Sequence, residues 1–210
     1  MPDSSPSRRA RSVRAYVGLG ANVGDAPATL AAAVAGLAAL PRVQLRGVSR
    51  LYLTRPVGVT EQPAFHNAVV ALDVPAGPDP ATGGLAFLAS LKSLERAFGR
   101  RRRRRWGPRE LDLDLLLFGR HRLHVPRAAA QRSLDPARSG VQWLDVPHAA
   151  AGERLFVLAP LADLVAGLRP PGWGETVASA RARAEITEGS GAVRSVAFWD
   201  RVAGTWSAET

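Results

Sequence analysis

Residues 100–118 read "RRRRRRWGPRELDLDLLLF", six arginines running through a tryptophan-glycine-proline turn into alternating leucine and aspartate. Alternation with a period of two is the signature of a strand. Leu111, Leu113 and Leu115 then point to one face and Asp112 and Asp114 to the other. Their β-carbons fall roughly 6 to 7 Å apart along the strand. Two carboxylates this close raise each other's pKa unless a cation compensates. Alone, such a pair reads as a solvated sheet face. Arg109, three residues before Asp112, changes the context. Carboxylates combined with substrate phosphates are the usual way to hold Mg²⁺, and arginines clamp phosphate oxygens. The arginine loop and the acidic strand read as one site for a phosphate-bearing, metal-bound ligand.

Working outward, "RAYVGLG" (14–20) reads as a first strand ending in glycines. "ANVGDAP" turns into a helix from Pro27 to Leu40, with Pro27 suited to its first turn and Leu30, Val34 and Leu37 on one face. Residues 43–52 form a strand with an irregularity expected at Gly47, 54–63 a loop, and 65–74 the next strand. A helix over 81–98 is closed by Gly99 and leads to the acidic strand. The order β-α-β-β-α-β predicts an α+β, ferredoxin-like α/β sandwich, an antiparallel sheet with both helices on one face. Beyond Phe118 the pattern weakens. Residues 120–142 read as a long loop, with short helices near 156–166 and 175–185, and "VRSVAFW" as an edge strand. These are C-terminal additions to the core. Residues 1–13 read as a disordered basic leader, 14–185 as one domain and 186–210 as a terminal strand or partly disordered tail.

The chain of 210 residues suits one well-buried core. No stretch has the length of a membrane span, and no apolar signal core follows the leader. The absence of cysteine excludes disulfides and thiolate metal sites and fits a cytoplasmic protein. Net charge is +10, and Lys92 is the only lysine among 28 basic residues. Such charge speaks to an anionic partner rather than to fold. Glu95 stands out, because it shares the apolar helix face of Leu88 and Leu91. A carboxylate there needs a partner or a place at the edge of the face.

Four segments carry a resemblance. "RWGPRELDLDLLLFG", "YVGLGANVGD", "LYLTRPVGVTEQPAFHNAVVAL" and "LDVPH…ERLFVLAPL" together resemble the 6-hydroxymethyl-7,8-dihydropterin pyrophosphokinase family of folate biosynthesis, over roughly residues 14–165 and in the family's order. The resemblance implies transfer of the terminal diphosphate of ATP to the pterin hydroxymethyl oxygen, with release of AMP. It implies two Mg²⁺ ions held by Asp112 and Asp114, and phosphate contacts from Arg109 and the loop arginines Arg100 and Arg102. It implies a pterin site from Phe65 and Phe156 as aromatic plates, Asn67 at the polar edge, Thr54, Pro56, Val57 and Gly58 along the loop, and Trp106 at the lid. On the nucleotide side it implies Glu95, Leu115, His148 and Arg154, beside Arg102 and Arg109. A monomer with these two small-molecule substrates is expected, with neither nucleic acid nor membrane as partner.

The chain departs from the family pattern in places. Ala149 follows His148 where the family has proline or an aromatic residue, and Trp143 and Asp145 precede it where a basic and a small residue are usual. An acid at 145 disfavours a triphosphate unless it points outward. The link over 120–142 is longer than usual. Two other readings use the same residues: a ferredoxin-like RNA-binding module, in which the carboxylate pair would repel a phosphate backbone, and a family member that binds ligand without turnover.

Overall fold

The computed structural model describes residues 11–55, 62–99, 109–128 and 140–208. Strand β1 (Ser12–Ala21) leads through a turn to α1 (Ala26–Ala38). Strands β2 (Gln44–Val48), β3 (Leu51–Thr54) and β4 (Phe65–Pro75) follow, then α2 (Pro80–Ala97) and β5 (Asp112–Phe118). Both helices start where the chain supplies a cap. Asp25 accepts a hydrogen bond from Ala28 N at 3.0 Å and Asp79 from Thr82 N at 2.9 Å, each with proline in the first turn.

The sheet runs β5-β1-β4-β3, with β2 also paired to β4, and every one of these pairings is antiparallel. This is the expected α+β sandwich. α1 and α2 cover one face: Leu30, Val34, Leu37, Phe87, Leu88 and Leu91 pack on the odd residues of β1 and the even residues of β4. The segment 43–52 is two strands rather than one. Its ladder to β4 shifts between Leu45 and Gly47, the irregularity anticipated at that glycine. It then breaks at Ser49, whose Oγ accepts the Val69 N–H at 2.9 Å. The hydroxyl thus replaces a ladder acceptor, as serine readily does.

The structure corrects four expectations. β1 begins at Ser12, paired with Pro75, so the chain from residue 12 belongs to the sheet; residues 1–10 lie outside the described residues. The span 120–142 is not all loop. Leu123–Pro126 form β6, which pairs with β7 (Trp143–Val146) because Leu123, Val125, Leu144 and Val146 alternate onto the α2 side of the core. The expected edge strand, β8 (Val193–Asp200), lies inside the sheet between β3 and β9 (Thr205–Ala208). The final segment is anchored by Trp206, 9% exposed, which donates from Nε1 to Ser49 O at 2.9 Å and meets Trp199 edge-on at 4.7 Å.

Helices α3 (Leu155–Val165) and α4 (Val177–Glu188) cover the opposite face. Leu161 and Val177 pack with Tyr16, Val69, Ala71, Leu116 and Leu117. Among the described residues no helix is long and apolar enough to cross a membrane. Replacing Trp206 by alanine removes a buried indole and its hydrogen bond. It is expected to cost about 3 to 5 kcal/mol in urea unfolding; a loss under about 1 kcal/mol would show that the hairpin is an ornament rather than core.

Candidate active site

In an antiparallel sheet directly paired residues project to the same face. Asn67 of β4, Gly20 of β1 and Asp112 of β5 form one such row, and Val69, Gly18 and Asp114 the next. The cover of α3 falls on the Val69 and Ala71 end of this face. Beyond it Asn67 and Asp112 stand two strand spacings apart, about 9 to 10 Å, with glycine between them. A Cβ on Gly20 would lie 3.2 Å from Asn67 Oδ1, and one on Gly18 would lie 3.4 Å from Leu116 Cδ2. The glycines therefore keep a flat floor open between an amide wall and a carboxylate wall.

On the amide side, Asn67 donates from Nδ2 to Thr54 Oγ1 at 2.9 Å. That bond fixes the amide and leaves Oδ1 over the glycine floor. Phe65, half-buried, pairs with Thr54 and lies on the same face. Tyr52, paired with Asn67, is 4% exposed and donates to Asp163 of α3 at 2.9 Å. Burial first, and the Asp163 charge second, push its phenol up to about 12. The bond therefore ties a neutral tyrosine to α3, the helix that carries Phe156 in its first turn. The guanidinium of Arg154 lies 5.1 Å from the centre of the Phe156 ring.

On the carboxylate side, Asp112 and Asp114 share the half-buried face of β5 as the alternation requires. Arg109 Nη1 donates to Asp112 Oδ2 at 2.5 Å. Asn22 joins the two sides. Only 4% exposed, it accepts the Arg109 N–H through Oδ1 at 2.7 Å, and its Nδ2 donates to Gln62 Oε1 at 3.2 Å and Pro63 O at 3.0 Å. Its own N–H donates to Arg109 O at 3.0 Å. One buried amide thus links the end of β1, the approach to β4 and the approach to β5.

The remaining sequence-derived residues are placed unequally. His148 follows β7 and its N–H donates to Leu116 O at 2.9 Å, which sets its backbone beside β5. Arg154 occupies the half-buried position just before α3. Leu115 is 2% exposed in the α1/α2 core, so its side chain points away from the aspartate face. Glu95 has the partner its place demanded. Only 2% exposed, it accepts through Oε1 from Lys92 Nζ at 2.7 Å and from Leu113 N at 2.8 Å, on the helix side of β5. Asp145 points outward and meets His124 Nδ1 at 2.7 Å, with His124 stacked on Trp143 at 4.2 Å. Pro56, Val57, Gly58, Arg100, Arg102 and Trp106 lie outside the described residues.

Sequence reasoning passed over Asn22, Lys92 and Tyr52. Asn22 looked like an ordinary turn residue, and only tertiary contacts reveal its reach. Lys92 did carry a signal, as the lone lysine of an arginine-rich chain.

The model of the 7,8-dihydro-6-hydroxymethylpterin-pyrophosphokinase family matches residues 16–166. The chain belongs to this family. It is 41% identical over 158 residues to the 2-amino-4-hydroxy-6-hydroxymethyldihydropteridine pyrophosphokinase of Pseudomonas aeruginosa, covering 75% of this chain and 84% of that one. To the Bacillus subtilis protein of the same name it is 37% identical over 150 residues, 71% of this chain and 77% of that one. Among solved structures it is similar to the Plasmodium falciparum HPPK-DHPS protein, with a TM-score of 0.67 at 14% identity. That match covers 96% of this chain and 49% of the other, so the chain spans about half of that structure, and the likeness concerns the fold. The family match takes in both rows of the site, from Gly18 and Gly20 to Asp112 and Asp114, together with Asn22 and His148.

Replacing Asn22 by alanine leaves the half-buried Arg109 N–H without its side-chain acceptor and unties the approaches to β4 and β5. A loss of about 1 to 3 kcal/mol in urea unfolding is expected; a change under about 0.5 kcal/mol would show that the amide is not a structural junction.

Proposed function

We propose that the chain transfers the diphosphate of ATP to the hydroxymethyl oxygen of 6-hydroxymethyl-7,8-dihydropterin, forming the pterin diphosphate and AMP. The reading is supported by family membership together with one geometric observation: a carboxylate pair faces an oriented amide across a glycine floor. The names of the P. aeruginosa and B. subtilis relatives state the same pterin and the same transfer. In the reaction the pterin oxygen bonds to the β-phosphorus as the bridge to the α-phosphate breaks, the electron pair leaves with AMP, and the hydroxyl proton is lost to the surroundings.

Two carboxylates on one strand fit Mg²⁺ in the form that relies on substrate phosphates for the remaining ligands, rather than on an all-protein cage. Among the described residues no group of three or more acidic, histidine or cysteine side chains offers such a cage. When bound, the metal supplies charge neutralisation on the triphosphate. The chain's own residues do the rest. Asp112 and Asp114 would hold the metals, and Arg109, bonded to Asp112, aims that carboxylate. Asn67 reads the polar edge of the pterin through Oδ1, since Thr54 has taken an amide hydrogen on the other side. Phe65 and Phe156 flank the ring as aromatic plates. His148 and Arg154 take the nucleotide side, and Arg100, Arg102 and Trp106 act from the segment before β5. Asp145, satisfied by His124, leaves the triphosphate unopposed, which favours turnover over a ligand-binding member without activity.

The test is AMP release from ATP and Mg²⁺ with and without the pterin. AMP is expected only with pterin and in equal amount to pterin diphosphate, and Asp112→Ala or Asp114→Ala is expected to lower kcat by roughly two to three powers of ten. Pterin-independent AMP, or wild-type turnover in either variant, would contradict the proposal.

A further inference from the structure

Among the described residues strand β5 is the rim of the sheet: β1 pairs with one side and no strand with the other. An edge strand presents backbone donors and acceptors without ladder partners. At Leu113, the residue between the two aspartates, both groups are taken from α2. Leu113 N donates to Glu95 Oε1 at 2.8 Å, and Leu113 O accepts from Lys92 Nζ at 2.9 Å. Lys92 and Glu95 also bond each other at 2.7 Å, one helical turn apart, and are 8% and 2% exposed. A lysine that donates and a glutamate that accepts therefore stand where the next strand would stand.

We infer that Lys92 and Glu95 are a positioning pair for Asp112 and Asp114, setting the affinity of the metal seat from behind the strand. The inference rests on the proposed role of the aspartates. Backbone direction alternates along a strand, so the groups of Leu113 face α2 while those of Asp112 and Asp114 face Gly20 and Gly18 of β1. Held from both sides, the strand cannot roll, and rolling would swing the two carboxylates out of a shared coordination geometry. Neither Lys92 nor Glu95 needs to touch the metal for this. The residue type agrees. Every other cation of the chain is an arginine, and here a compact ammonium with three donors fits between a carboxylate and a carbonyl where a planar fork would not. Burial of the pair strengthens its bonds and raises the penalty for losing one partner.

Mn²⁺ is the probe, titrated by electron paramagnetic resonance in the presence of an ATP analogue with a methylene between its α- and β-phosphorus. Lys92→Met keeps the stem and removes the donors; Lys92→Gln keeps one donor for Leu113 O. Lys92→Met is expected to weaken Mn²⁺ binding about ten- to a hundredfold, the range for groups that orient metal ligands. Exchange of the Leu113 amide should quicken, pterin affinity by titration should stay within about threefold, and Lys92→Gln should fall in between. Mn²⁺ affinity unchanged in both variants would overturn the inference. So would an equal loss of pterin affinity, since that marks general loosening rather than positioning. If Lys92→Met does not fold, Lys92→Gln decides by the same two readings. Mn²⁺ retained by the Asp112→Ala/Asp114→Ala double variant would instead overturn the metal seat itself, and this inference with it.

Discussion

The outer backbone groups of β5 face no strand among the described residues, because β5 lies at the rim of the sheet with β1 as its strand neighbour there. That constraint governs the carboxylate wall of the site. Carboxylates on an exposed edge keep a fixed spacing only if the backbone beneath them is held, and here it is held from three directions. β1 pairs with it through Gly18 and Gly20, Lys92 and Glu95 take the outer groups of Leu113, and His148 N takes Leu116 O. At the start of the strand, Asn22 holds Arg109 by backbone and side chain. The same glycines that give β5 its partner leave the floor open, so edge support and ligand space come from one pair of residues.

The opposite wall is built differently. Asn67 lies on an interior strand, and its amide is set by Thr54 across the ladder. Tyr52 then ties this strand pair to α3 through Asp163, and α3 carries Phe156. The amide wall is thus stiffened by burial and the carboxylate wall by charged side chains reaching to an edge. The difference suits the proposed chemistry, in which one wall recognises a neutral ring and the other meets a polyanion with its metals.

Much of this was legible in the sequence. Period-two alternation placed Asp112 and Asp114 on one face and Leu113 in the core, and the β-α-β-β-α-β order gave the sandwich. The oddity of Glu95 on an apolar face was visible, as was the demand that it find a partner. What periodicity could not show was the identity of that partner, because Leu113 contributes backbone rather than side chain. Asn22 was opaque for the same reason: three of its contacts, to Arg109 and Pro63, are with peptide groups. Leu115, which the resemblance puts on the nucleotide side, buries its side chain in the core layer beneath α1 and α2. β8 was legible as a strand, but its partner β9 escaped because its anchor, Trp206, is a single residue near the terminus with no periodic context. Asp145, read as a hazard to a triphosphate, is turned outward by the β6–β7 register and paired with His124.

The most direct test of the central claim, that Asp112 and Asp114 form the metal seat opposite Asn67, is a crystal structure with Mn²⁺, the methylene ATP analogue and the pterin, read by anomalous scattering. Anomalous peaks bridging the two aspartates, with the pterin over Gly18 and Gly20 and its polar edge at Asn67 Oδ1, are the predicted result. Peaks held by other side chains, or a pterin seated away from the glycine floor, would contradict the account.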